Sequence, residues 1–141
     1  MTKTNHRIWA ALISGCLFGG VVMFAPEAPA HSGHLFESVC INVTDGGTSL
    51  FSLRVAHRYM LEPDSDDLRT VKAVINGAEP ALGVSMRTGR TSVLATLNGS
   101  VAGFFTAIQL HWNPQAGNGT GRVLGELNAH PNVQLTEFRC R

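Results

Sequence analysis

The chain has 141 residues, with 11 Lys and Arg against 10 Asp and Glu, 15 glycines and three cysteines. Near-neutral charge without a basic block argues against nucleic acid or an anionic membrane as the main partner. The length suits one domain with its own core.

The first segment differs in kind from the rest. Lys3 and Arg7 precede the apolar run at 8–24, and small residues follow at Ala28 and Ala30, the charged, apolar, A-x-A order of a secretory signal peptide. A cut after Ala25 or Ala28 would set Pro26 or Pro29 directly behind it, where a fixed ring fits a protease cleft badly. A cut after Ala30 is therefore expected, giving a signal at 1–30 and a mature chain of 111 residues at 31–141 that starts with His31. Two rival readings are weaker. The Gly19–Gly20 pair and the prolines oppose an uncleaved anchor. Apolar residues continue past Cys16, where a lipoprotein box read from "ISGC" would turn polar. The expected location is periplasmic or secreted, with no stable membrane insertion after cleavage.

From residue 35 onward, short β-rich runs alternate with turn residues: 35–44, 49–61, 70–75, 81–86, 91–97, 103–112, 121–127 and 133–140. This predicts an all-β fold, a single antiparallel β-sandwich or small barrel. Positive-φ residues for its reversals are expected at 45–47, 76–77, 88–89, 98–99 and 118–119. Asn42, Asn98 and Asn118 also read as N-x-S/T sequons, but two of the three are Asn-Gly pairs that a turn explains. At 64–77, capping-type residues and helical spacing of Leu68, Val71 and Ile75 compete with a strand, and β-branched density favours the strand. Asp64, Asp66 and Asp67 lack the ligand series of a calcium loop and read as a solvated turn.

With Cys16 removed, Cys40 and Cys140 remain as an even pair in an oxidising compartment, so a disulfide closing the domain is expected. Neither lies in C-x-x-C spacing, which argues against a redox or thiolate metal site. No nucleophile elbow, H-E-x-x-H or phosphate-binding glycine loop is present, and the chain is expected not to be an enzyme.

Histidine is the chemistry that remains: His31, His34, His57, His111 and His130 fall in the mature chain. A free α-amino group titrates at about pH 8. A copper ion can displace its proton near neutrality and form a chelate with the imidazole of the same residue. A third nitrogen from His34, or from His57 or His111 at strand ends, would complete the tetragonal set that Cu(II) prefers. Each histidine also has a plainer reading: "HSGH" as a tail, His57 as a half-buried hydrogen-bonding group, His111 as part of an aromatic cluster with Trp112 and Tyr59.

The stretch at 108–127, "IQLHWNPQAGNGTGRVLGEL", is similar to the C-terminal signature of the chordin-type (CHRD) domain: a strand ending in histidine, an Asn-Pro loop, then Gly-x-Ile/Val-x-Gly-Glu/Gln-Leu. The matching residues are His111, Asn113, Pro114, Gly121, Val123, Gly125, Glu126 and Leu127. Ala56 and His57 match the family's Ala-His-Ile-His, with Tyr59 in place of the second histidine. The family's Glu-Pro-Pro segment is missing. The resemblance implies a secreted β-sandwich without established catalysis.

The expected function is an exported, non-enzymatic binding protein for Cu(II) through His31, helped by His34, His57 or His111. The alternative is a cell-envelope or extracellular module that binds another protein and no metal.

Overall fold

In a computed structural model, residues 37–63 and 66–141 are described. Eight antiparallel strands follow one another: β1 (Val39–Asp45), β2 (Thr48–Val55), β3 (Arg69–Ile75), β4 (Glu79–Arg87), β5 (Val93–Val101), β6 (Phe104–Asn113), β7 (Asn118–Gly125) and β8 (Ala129–Phe138). Each strand pairs with its neighbours in sequence, and β8 returns to β1, closing the ladder as a barrel. The expected all-β domain is therefore present, with a strand for every predicted run.

Period-two alternation builds the interior. In β6 the buried residues are Thr106, Ile108, Leu110 and Trp112, and in β1 Val39, Ile41 and Val43 are buried. The inward positions of β7 are Gly119, Gly121, Val123 and Gly125. A Cβ at Gly119 or Gly121 would stand 2.1 or 2.2 Å from a carbonyl oxygen of β6, at His111 or Gln109. These glycines let β7 lie tightly against the strand that carries Trp112.

Two predicted details differ. Asn98–Gly99 and Asn118–Gly119 do not turn the chain but lie inside β5 and β7. The run expected as one strand over 49–61 ends at Val55 and is followed by a 3-10 turn, Arg58–Leu61. Met60 and Leu61 are adjacent and both join the core, whereas in an extended strand neighbouring side chains point to opposite faces. Within the segment that also read as a helix, Arg69–Ile75 form β3, the strand reading.

The alternating course puts the loops after β2, β4 and β6 at one end and the four hairpin turns after β1, β3, β5 and β7 at the other. The first end is closed by the 3-10 turn. The Ser85 hydroxyl donates to the Met60 carbonyl at 2.6 Å, and the Arg69 guanidinium donates to the Tyr59 carbonyl at 2.6 Å. Arg58 pairs with Glu137 at 2.6 Å. Cys40 and Cys140 form the expected disulfide there, with Cα atoms 5.4 Å apart, stapling the start of β1 to the chain just past β8. No helix among the described residues is long and apolar enough to cross a membrane.

Candidate functional site

Among the described residues, no helical turn plugs the opposite end. Asp45 to Thr48 reverses through Gly46 and Gly47, with φ of 53° and 85°. Val101 to Phe104 reverses through Ala102 and Gly103, with φ of 52° and 86°. Paired positive φ values match the twist of a hairpin and keep such turns short. Short turns leave the mouth uncovered.

Both register shifts of the barrel's ladders lie on strands that meet this mouth. Thr44 faces Ser49 and Val43 faces Phe51, so Leu50 is an extra residue in β2. Alternation would send Leu50 outward, since Phe51, Leu53 and Val55 point in; the bulge lets it pack on the core beside Phe51. On the other side, Gly121 faces Val133 and Val123 faces His130, so Pro131 and Asn132 stand against the single residue Arg122. Counting back from the buried Val133, His130 would face solvent, and the extra residue turns it inward. Proline, which cannot donate to a ladder, is at home in such a bulge.

Between the two bulges lies a pocket of about 180 Å³. Leu50, Phe51, Val101, Phe104 and Val123 supply its apolar wall, and Thr106, Glu126, Asn128 and His130 its polar groups. Two of the polar groups are held in place. The Asp45 carboxylate meets His130 Nδ1 at 2.7 Å. The Phe105 backbone N–H donates to Glu126 Oε2 at 3.2 Å, while the Glu126 N–H donates to the Phe105 carbonyl at 3.0 Å. In the tautomer that directs Nδ1–H at Asp45, Nε2 is an acceptor. Large apolar side chains stand exposed on the two hairpins of this side, Phe105 at 58% and Leu127 at 66%, with Phe104 and Leu124 beside them.

Of the residues singled out from sequence, His57 and His111 fall elsewhere. His31 and His34 lie outside the described residues. His57 follows β2 at the plugged end, half-buried, its ring stacked on Tyr59 with centroids 5.6 Å apart. His111 is exposed on the outer face of β6, four strands round the barrel, while its neighbour Trp112 points into the core. His111 and Trp112 therefore face opposite sides of β6, while Tyr59 packs against the core that contains Trp112. Among the described residues no group of three or more His, Cys, Asp or Glu side chains is arranged to hold a metal ion.

Glu126, His130 and Phe104 were not singled out. Their signals were Pro131 inside a strand pattern and the adjacent apolar pair Leu50–Phe51, two breaks in alternation. The segment similar to the chordin-type signature forms the β6–β7 hairpin. Comparison with protein-family models, curated protein sequences and solved structures finds no match to this chain.

Proposed function

We propose that this chain is an exported, non-enzymatic binding protein whose ligand sits in the mouth of the barrel. The observation that carries this reading is the pocket of about 180 Å³ between the two bulges. It slightly exceeds the volume of about 150 Å³ in which a cavity admits benzene, so its occupant is a small molecule or one side chain of a partner. The mouth of a β-barrel is a recurrent ligand position. The Cys40–Cys140 disulfide supports a periplasmic or secreted location. Backbone amide NMR of the exported protein, titrated with a panel of benzene-sized solutes, tests it. Saturable shifts at Val101, Thr106 and Val123 are expected. Shifts scattered over the surface, or none, overturn the reading.

A second reading rests on the sequence. The A-x-A site would free His31, whose α-amino nitrogen and imidazole would hold Cu(II) together with His34, His57 or His111. Electron paramagnetic resonance of the exported protein is then expected to show one nitrogen-rich Cu(II) signal that disappears in His31→Ala. An unchanged signal in that variant overturns it.

A further inference from the structure

We infer that the mouth pocket selects a small organic cation, an ammonium group on an apolar body of about benzene size. The inference rests on the pocket reading above and adds the charge of the ligand.

Three observations converge. The first is the charge of this end: its turns carry Asp45, Glu79 and Glu126, and no Lys or Arg occurs at 45–48, 75–79, 101–104 or 125–130. The arginines of the long loops, Arg58, Arg69 and Arg90, belong to the plugged end. A cation therefore approaches the mouth without a like charge at its rim.

The second is the hydrogen-bonding sense of the polar groups. Glu126 is held at the wall by the Phe105 N–H through one oxygen, leaving the other to accept. His130 Nδ1 meets the Asp45 carboxylate at 2.7 Å, and in the tautomer that donates there Nε2 accepts. The Thr106 hydroxyl spends its hydrogen on the Phe104 carbonyl at 3.1 Å, leaving its lone pairs. Acceptors on Glu126 and Thr106 line the pocket beside the Asn128 amide, which can accept as well as donate, and an ammonium group is donor only.

The third is the wall. Phe51 and Phe104 line the same pocket as Glu126. An aromatic face attracts a cation through its quadrupole, most strongly where water is partly excluded. An aromatic wall beside a fixed carboxylate favours a cation over a neutral molecule of the same shape, and disfavours an anion.

The test compares three probes of one shape, benzylammonium, benzyl alcohol and benzoate, by calorimetry and amide NMR on the exported protein. Benzylammonium is expected to bind about three- to tenfold more tightly than benzyl alcohol, the range of one exposed ion pair with an aromatic contact, and benzoate more weakly than either. The advantage is expected to vanish in Glu126→Gln, which keeps an acceptor for the Phe105 N–H, and to fall in Phe104→Leu, which keeps the apolar volume. The amide spectrum of Glu126→Gln away from the mouth is expected to match that of the unaltered protein, which reports that the barrel is intact. Equal binding of the alcohol and the ammonium overturns the charge inference and leaves the pocket reading standing. Binding of none of the three overturns both.

Discussion

The two ends of the barrel are built from the same eight strands and do opposite things. At one end the chain folds back as a 3-10 turn, buries Met60 and Leu61, and fixes them with hydrogen bonds from Ser85 and Arg69 and with the Cys40–Cys140 staple. At the other, the four turns are two or three residues long, and two bulges turn Leu50 and His130 inward. Closure at one end frees the other from carrying the core. Substitutions at the plugged end should therefore cost stability, and those at the mouth should cost binding.

The largest effect is expected from the staple. Replacing Cys40 and Cys140 together by serine removes a cross-link over 100 residues and is expected to lower stability by about 3–5 kcal/mol, measured by urea denaturation. Leu61→Ala follows, at about 2–4 kcal/mol, because a fully buried side chain leaves a cavity. Ser85→Ala, which strips the Met60 carbonyl of a buried partner, is expected to cost about 1–2 kcal/mol in the same assay. At the mouth, a double-mutant cycle on Asp45→Ala and His130→Ala is expected to give a coupling of only about 0.2–1 kcal/mol, since both side chains are partly exposed. The same two substitutions are expected to weaken ligand binding, read by calorimetry. A stability loss at His130 as large as that at Leu61 would erase the contrast between the ends.

The sequence carried the strands and the staple because alternation and cysteine pairing are local signals. Ile41, Val43, Leu53, Ile108 and Leu110 announce their faces by parity alone. The mouth was not legible for the opposite reason: a bulge reverses parity, so Leu50 and His130 read as outward residues until the pairing with β1 and β7 is known. Turn chemistry misled where tertiary contact overrode it. Gly99 and Gly119 are needed inside strands, since a Cβ at Gly99 would lie 2.7 Å from the Ile75 side chain and one at Gly119 would strike β6. The real β5–β6 turn used Ala102 at positive φ, where sequence reasoning expects glycine or asparagine. The long run at 49–61 hid a helical turn because its apolar content continues past the strand's last paired residue.

One ladder is far shorter than the rest. β2 meets β3 through three pairs, Leu53–Ile75, Arg54–Val74 and Val55–Ala73, and Asn76 extends the contact by bonding Ser52 with its backbone and side chain. The residues next along β2, Leu50 and Phe51, are pocket wall. Breathing of this barrel therefore costs fewest ladder hydrogen bonds along the seam between β2 and β3, beside the pocket wall.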